Sequence, residues 1–395
     1  MKVRRRRVWT WLVTLGAGFV LLAAVASGMF QLAVQAMPGY RADIERYVSQ
    51  VAARPVRIGA IALTWHYYYP SLDLSQVALM SSDGARPVLA VDRLRLGFAL
   101  TRLVRADFMP DRLELSGLTL ALRLDRDRHL HLDAMEEDDR DDQTDALRTL
   151  AGFAGLRIER CRLELRDERR PAAAPLVFGL DSAALTRGLL GRSLQARVTL
   201  PPAYGERAVL KGTFDGDLLE PSAWSGHFSA QVQSIAAGPW LAPYLAPGAH
   251  VQLSGANAQL DATLERGQAR SLQLRLQADA VNAQRAQHRV AWTDLDAQLG
   301  ATLEDEGWEV QLRRVALGGA RGVWPRAGGI LARHQAAAGG AVQWSLSADF
   351  LRLDDLAPWL SIARAPGRLE ALSDATGEVR DLSASWQADE GDELR

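Results

Sequence analysis

The chain has 395 residues, and its 46 Lys and Arg nearly balance 47 Asp and Glu, so the formal net charge is −1. This balance argues against a nucleic-acid partner, because nucleic-acid-binding domains usually carry a clear basic excess. A single cysteine, Cys161, excludes an intrachain disulfide framework and a cysteine-rich metal site, and at an inward strand position it would behave as a small hydrophobe.

The first predicted element is a transmembrane helix. Residues 1–7 are strongly basic, and residues 8–30 contain no charge. A run of about 20 apolar residues is long enough to cross a hydrocarbon core as a helix. The basic end should stay in the cytoplasm, which places the rest of the chain on the far side. The aromatic side chains assigned to this anchor are Trp9, Trp11, Phe19 and Phe30.

A cleaved signal peptide is the alternative interpretation of the same segment. Ala24-Val25-Ala26 fits an A-x-A cleavage site. The apolar run is longer than a usual signal sequence and continues through Leu32. We therefore favour a retained anchor.

A short amphipathic helix follows at residues 40–53, and then the apolar spacing changes to two for most of the chain. The helix has Ile44, Tyr47, Val48 and Val51 on one face. The alternating segments predict a sheet with one apolar and one polar face, joined by short turns into an antiparallel meander. In the segment 88–100, Asp92 breaks the apolar face. The alternating apolar positions include Val88, Ala90, Leu94, Leu96, Phe98 and Leu100; Leu118, Leu120, Leu122 and Leu124; Leu194, Ala196, Val198 and Leu200; Leu260, Ala262 and Leu264; Leu272, Leu274 and Leu276; and Leu295, Leu299 and Leu303.

Few helices interrupt the predicted sheet. One is expected at residues 144–154, after an acidic run at 133–145. Two Pro-Trp-containing segments, 238–245 and 356–360, each follow a strand and precede a Pro-Gly turn, which suggests a repeated unit. We divide the chain into a basic tail and transmembrane helix (1–34), the start of the sheet (35–132), an acidic loop with a helix (133–155), and continuing sheet repeats (156–395).

The sequence contains no strong catalytic or metal-binding motif. His129 and His131 share one strand face, but a third ligand at a defined spacing is missing. The acidic run 136–142 lacks the glycine and terminal glutamate of a calcium loop and is typical of a solvated loop. We therefore predict a protein that is not an enzyme and needs no cofactor or metal. A glycosidase, whose carboxylate pair is defined only in three dimensions, stays open as a minor alternative.

The densest aromatic cluster lies at residues 65–70. It contains Trp65, Tyr67, Tyr68 and Tyr69, followed by Pro70. One interpretation is a membrane-proximal platform for lipid or sugar, and the other is an ordinary strand end with a Pro-terminated turn.

The segment 48–79 resembles the opening of AsmA-like proteins, and more closely their YhdP-type branch. The residues that carry the resemblance are Pro55-Val56-Arg57-Ile58-Gly59, Trp65, Pro70 and the alternation Leu72-Asp73-Leu74-Ser75-Gln76-Val77-Ala78-Leu79. Residues 110–117 fit as well, so the resemblance covers about residues 1–130. Members of that branch are longer, and we expect this chain to be the N-terminal portion of such a protein.

The resemblance implies a fold and a role. The implied fold is mainly β: one N-terminal transmembrane helix, then an elongated, curved, antiparallel repeating β-groove with a few short helices. The implied role is phospholipid transport between the inner and outer membranes, from a single-pass inner-membrane anchor with a periplasmic body. Phospholipid, the inner membrane and outer-membrane or other periplasmic proteins are the implied partners.

A scaffold or tether for envelope assembly is the alternative function, and a sandwich that packs its own apolar faces together is the alternative fold. For the groove, the candidate lipid-contacting residues are Leu94, Leu96, Phe98, Leu118, Leu120, Leu122, Leu272, Leu274 and Leu276.

Overall fold

The structure is a computed structural model that describes residues 28, 35, 37–51, 55–66, 69–80, 87–105, 107–124, 130–132, 152–168, 174–188, 191–218, 220–325, 329–336, 341–364 and 372–389. Within these ranges no helix has both the length and the apolar character needed to span a membrane. Apart from Gly28, the predicted transmembrane segment, with Trp9, Trp11, Phe19 and Phe30, lies outside the described residues, as does the acidic run.

The described part of the chain is mainly β, as the alternating sequence predicts. One sheet contains all of its strands. In chain order they are β1 Val56–His66, β2 Tyr69–Met80, β3 Pro87–Gly97, β4 Arg112–Ser116, β5 Thr119–Leu124, β6 Leu130–Leu132, β7 Gly155–Asp167, β8 Leu176–Gly188, β9 Gly191–Thr199, β10 Arg207–Asp215, β11 Ser225–Gln233, β12 His250–Ser254, β13 Asn257–Glu265, β14 Gln268–Arg285, β15 His288–Glu304, β16 Gly307–Gly319, β17 Gly322–Val323, β18 Ile330–Ala336, β19 Ala341–Arg352 and β20 Glu378–Asp389.

The helices of the described residues are short. The α-helices are α1 Arg41–Val51, α2 Leu100–Leu103, α3 Ala237–Leu241 and α4 Leu353–Ile362; the 3₁₀ helices are Met37–Tyr40, Pro221–Ala223 and Ala242–Tyr244. Helices α1, α3 and α4 overlap segments for which the sequence predicts helices. Helix α2 was not expected, because Leu100 continues the alternation of β3 in the sequence.

The strands pair mostly with their neighbours in the chain. From β7 to β20 the strand pairings are antiparallel. Strands β12 and β13 lie end to end, and both pair with β14, β12 with its second half. The prediction of a simple meander is wrong in one place. Strands β4 and β5 share one lane between β3 and β7, and both run parallel to β7. A parallel pair needs a long crossover connection, and residues 125–154 provide its length.

Irregularities recur in two groups of strands, β1–β5 with β7 and β8, and β14 with β15, and we call them together the offset line. At the offset line the spacing of inward apolar residues rises from two to three, either within a strand or between β4 and β5, which share one lane. The pairs on either side of it include Ile58 and Ile61, Leu74 and Val77, Val91 and Leu94, Leu115 and Leu118, Ile158 and Cys161, Ala278 and Val281, and Trp292 and Leu295. Left-handed residues lie within it, with φ of 52° at Gln76, 53° at Arg160 and 50° at Asp294.

The offset line corrects one sequence prediction. The sequence suggests that Val88 and Ala90 share a face with Leu94, but Ala90 is exposed and Val91 is buried. One extra residue at Asp92 reverses the parity of the strand, so that Leu89 and Val91 join the inward face instead. Cys161 is buried, as expected of a small hydrophobe, and its burial raises the pKa of the thiol.

A substitution at Gly117 tests the offset line, because the backbone of this residue is left-handed, with φ of 72°. A Cβ at this position would lie 2.0 Å from Oδ2 of Asp92. We expect Gly117→Ala to lower the free energy of unfolding by about 2 kcal/mol or more, through backbone strain and this overlap. The measurement is guanidinium unfolding of the full chain in detergent, followed by tryptophan fluorescence.

Gly238→Ala is the matched control, because no heavy atom lies within 4 Å of the added Cβ. It should change the unfolding free energy by less than about 1 kcal/mol. Equal unfolding midpoints for the two variants would contradict the offset line as described.

Candidate functional site

A continuous row of apolar residues crosses the sheet from its first strand to its last, and we call it row A. Each member lies directly opposite the next across a strand pair. The row comprises Ile61, Leu74, Leu94, Leu115, Ile158, Ala183, Ala196, Leu210, Ala230, Leu260, Leu274, Leu299, Leu312, Ile330, Ala348 and Leu382. No polar side chain interrupts it.

A second row, row B, runs beside row A on the same face. Its members are two residues away along each strand, and all are apolar. They are Leu63, Leu72, Leu96, Leu113, Leu156, Leu185, Leu194, Gly212, Phe228, Ala262, Leu272, Ala301, Val310, Ala332, Leu346 and Ala384. Rows A and B together form an apolar band perpendicular to the strands.

The opposite face of the sheet is charged and polar. Arg95 donates to Asp73 at 2.6 Å and to Glu114 at 3.0 Å, so three neighbouring strands share one ion network. The hydrogen bond to Asp73 raises the pKa of Arg95. Further along, the hydrogen bond from Arg275 lowers the pKa of Asp296. The sheet therefore has one water-facing side and one apolar side, as the alternation predicts.

Helix α1 covers the start of the apolar face. Ile44 and Val48 pack on the buried cluster that contains Ile58, Ile61 and Leu74. The same helix also satisfies the edge strand β1, because Glu45 accepts the N–H of Ile58 at 2.7 Å and Ser49 accepts the N–H of Val56 at 2.8 Å. These contacts protect part of an exposed sheet edge.

Helices α3 and α4 cover the same face near the other end of the sheet, where they pack on a buried cluster that contains Val251, Ala283 and Val290. The two Pro-Trp segments that the sequence marks as a repeat meet there. The N–H of Ala246 donates to Ile362 O at 2.9 Å, and the N–H of Arg364 donates to Tyr244 O at 2.9 Å. Trp359 of α4 packs against Trp292 of β15 with ring centroids 5.4 Å apart.

A buried polar cluster fastens the start of α4 to the β16–β17 hairpin. Asp355 is only 3% exposed and accepts the indole N–H of Trp324 at 2.7 Å and the N–H of Ala320 at 2.8 Å. The buried Arg352 lies 3.7 Å from Asp355 and also donates to Glu378 and to Gly322 O. Hydrogen bonds from Arg380 and Arg352 lower the pKa of Glu378.

Between these covers the apolar band is open. Leu210, Leu260 and Leu299 of row A remain 38%, 37% and 37% exposed. An exposed apolar surface of this kind indicates an interaction site. An open cleft of about 530 Å³ lies elsewhere, between α3 and β12.

A row of aromatic rings lies next to row B on the same face of the sheet, near the start of β16. Trp308, His334, Trp344 and Trp386 are directly opposite one another on β16, β18, β19 and β20. The rings of Trp308 and His334 stack at 5.6 Å, and those of Trp344 and Trp386 at 6.1 Å. Sequence reasoning missed this set, because the four residues are far apart in the chain and only strand register aligns them.

The structure brings together most of the candidate residues of the groove. Leu94 and Leu274 belong to row A, Leu96 and Leu272 to row B, and Leu276 follows on the same face. Leu118, Leu120 and Leu122 lie beyond the offset line, where Leu118 is buried and the other two face Leu163 and Leu165. Phe98 lies beyond the end of β3, and its N–H donates to Pro70 O at 3.0 Å.

The aromatic cluster at residues 65–70 is split by the structure. Trp65 is half exposed at the β1–β2 hairpin. Tyr69 is buried, and the guanidinium of Arg112 lies over its ring at 4.6 Å. Tyr67 and Tyr68 lie outside the described residues. Tyr69 thus fits the interpretation as part of a packed strand end, and Trp65 is the accessible aromatic ring among the described residues of the cluster.

Among the described residues, no group of three or more His, Cys, Asp or Glu side chains is arranged to hold a metal ion. His129 and the acidic run 136–142 lie outside these residues, so the interpretation of both stays a prediction.

These features define a class of protein: a repeating β-sheet protein with a continuous apolar band on one face, partly covered by short helices. The chain belongs to the YhdP family, whose model, described as "YhdP protein", matches residues 1–395. The resemblance seen in the first third of the sequence is therefore confirmed over the whole chain. A search of curated proteins found no match.

The fastening of α4 can be tested by substitution. We expect Asp355→Ala to lower the free energy of unfolding by about 2–4 kcal/mol, because it leaves the buried indole N–H of Trp324 unpaired, removes the acceptor of the Ala320 N–H and removes a partner of the buried Arg352. Denaturant unfolding monitored by tryptophan fluorescence measures this loss.

Asp374→Ala serves as the control for this substitution. Asp374 is exposed and hydrogen-bonds only His288 among the contacts described. Its loss should cost less than about 1 kcal/mol. A small effect of Asp355→Ala, similar to that of the control, would show that the buried cluster does not hold α4.

Proposed function

We propose that this chain conducts phospholipid between the inner and outer membranes of a Gram-negative envelope and so supports the outer-membrane barrier. The single observation that carries the proposal is the unbroken apolar band of rows A and B, which stays open around Leu210, Leu260 and Leu299. Membership of the YhdP family is consistent with this role.

The energetics of lipid transfer favour such a band. At about 0.8 kcal/mol per methylene, the transfer of a phospholipid with about thirty methylenes from the membrane into water costs roughly 20 kcal/mol or more of free energy. A continuous apolar path removes this cost at every position along it. The strands are about 4.8 Å apart, so a band that crosses about fifteen strand spacings extends for about 70 Å.

The chemistry of the band suits a ligand that slides. Rows A and B contain aliphatic residues, one glycine and one phenylalanine, and no hydrogen-bonding side chain fixes a ligand at one position. Acyl chains need only apolar contact, so neither a catalytic residue nor a cofactor is required. We further propose that the offset line bends the strands that carry it and curves the sheet into a groove around this band.

The N-terminal segment would supply the donor-membrane attachment. In this proposal residues 8–30 span the inner membrane, and the β-sheet lies in the periplasm. Phospholipid is then the principal partner, and outer-membrane or other periplasmic proteins would receive or relay it.

A scaffold or tether for envelope assembly is the second candidate function. It is favoured by the length of the sheet and by the polar face, where Arg95 and Arg275 form ion pairs between strands. A scaffold gives no reason for aliphatic side chains to remain open to solvent along row A. For this reason we place it second.

Site-specific photo-crosslinking tests the proposal directly. We expect a photoreactive residue at Leu274, on row A, to capture phospholipid in intact cells. The same residue at Gln273, one position along β14 on the polar face, is the control. Mass spectrometry of the purified adducts measures the lipid. Capture of protein alone at Leu274, or equal lipid at both positions, would contradict conduction.

A charge placed in the band should obstruct it. We expect Leu260→Arg to reduce the phospholipid captured at Leu274 severalfold, since each acyl chain would have to pass a guanidinium in an apolar path. The fold should survive, because Leu260 is already 37% exposed.

Gln259→Arg, on the polar face of the same strand, is the matched control for this charge. It should leave lipid capture unchanged. If Leu260→Arg captures as much lipid as Gln259→Arg at equal protein levels, the lipid does not follow row A.

A further inference from the structure

The connection between β3 and β4 carries an apolar surface that rows A and B do not include. Val104 is 88% exposed, Phe108 72% and Met109 68%. Leu100 of α2 is also exposed. Large apolar side chains this exposed, close together on one short connection, indicate a contact with something outside the sheet.

The exposed side chains are held outward by an ordered turn. Asp107 accepts the N–H of Met109 at 3.1 Å and lies 3.5 Å from the guanidinium of Arg102. The N–H of Val104 donates to Leu100 O, which closes α2. These contacts give the connection a defined shape in which its apolar side chains face solvent.

Trp65 lies at the same end of the sheet. It is paired with Pro70, whose carbonyl accepts the N–H of Phe98, so the β1–β2 hairpin adjoins the start of the β3–β4 connection. We call Trp65, Leu100, Val104, Phe108 and Met109 the tip surface. Arg102 and Arg105 lie within it and are exposed.

The path of the chain before α1 leads toward the tip surface. Arg41, at the start of α1, donates to Gly59 O at 3.0 Å, while Ser49, near its end, bonds Val56. Helix α1 therefore runs antiparallel to β1, and the preceding residues Met37–Tyr40 lie on the side where β1 continues to Trp65. These residues follow the segment for which the sequence predicts a membrane anchor.

We propose that the tip surface inserts into the interface of an anionic lipid bilayer, as a second membrane contact beside the predicted anchor. Aromatic and aliphatic side chains would enter the boundary between headgroups and acyl chains, and Arg102 and Arg105 would meet lipid phosphates. This contact goes beyond the proposed conduction, and it holds whether or not lipid moves along rows A and B.

The test uses the full chain in a Cys161→Ala background, reconstituted into vesicles of phosphatidylethanolamine and phosphatidylglycerol. An environment-sensitive fluorophore is attached at Val104→Cys. Val323→Cys is the matched control, because Val323 is a valine of similar exposure, 74%, on β17, far from the tip surface. Circular dichroism checks that both labelled proteins keep their β-structure.

We expect the emission at position 104 to shift to shorter wavelength and to be quenched severalfold by lipid-attached nitroxide, with neither effect at position 323. Equal spectra and equal quenching at the two positions would overturn the proposal. A shift at position 104 without lipid quenching would assign the tip surface to a protein contact, and it would also overturn the proposal.

The charge component has its own test. Arg102→Glu combined with Arg105→Glu should reduce the quenching at position 104 in anionic vesicles, and it should have a much smaller effect in phosphatidylcholine vesicles. Unchanged quenching in anionic vesicles would overturn the assignment to anionic lipid. Phospholipid capture at Leu274 is measured separately, so failure of the tip surface and failure of conduction can be told apart.

Discussion

The structure depends on strand register. Because side chains alternate across a sheet, a slip of one residue in any strand would move its apolar set to the polar face and interrupt rows A and B at that strand. The register holds through the parallel pairing of Leu115 with Ile158 and through the antiparallel pairings on either side of it. The offset line is compatible with this constraint because β1, β2 and β3 change parity at the same level, as do β14 and β15, whereas a β-bulge absorbs the change between β8 and β9. Gln76 and Asp92 lie opposite one another, and Asp92 packs against Gly117 of the next lane.

Coverage divides the apolar face into two kinds of surface. Where α1, α3 and α4 pack, the face is an ordinary core: Ile362 is fully buried, and Trp292 and Trp359 lie against one another. Where no helix of the described residues packs, as at Leu260 and Leu299, the same alternation leaves apolar side chains open. The polar face needs no cover, because its ion pairs are hydrated. One strand pattern thus supplies stability in one region and a binding surface in another.

Several features follow from sequence pattern alone, and others do not. Alternation predicted that Leu94, Leu96, Leu272 and Leu274 share one face, because the period of two is a local property of extended chain. It failed at Ala90, since the extra residue at Asp92 depends on the matching extra residue Gln76 of β2 and on packing against Gly117. It also missed the parallel lane of β4 and β5, because local pattern does not encode the direction of a strand relative to a distant partner. The aromatic set from Trp308 to Trp386 was not predicted, because local pattern does not encode the register between distant strands either.

The sequence by itself determined that this chain forms a two-faced sheet with few helices, that it belongs with AsmA-like proteins of the YhdP type, and that its N-terminal segment has the composition of a membrane anchor. These are properties of spacing and composition, which each segment carries without its neighbours. Only the tertiary structure decided which apolar residues stay uncovered and that the two Pro-Trp segments close on one another through Ala246 and Ile362. It alone showed that Val104 and Phe108 project from the end of the sheet that carries Trp65. Exposure is set by what packs on a residue, and that depends on segments far away in the chain.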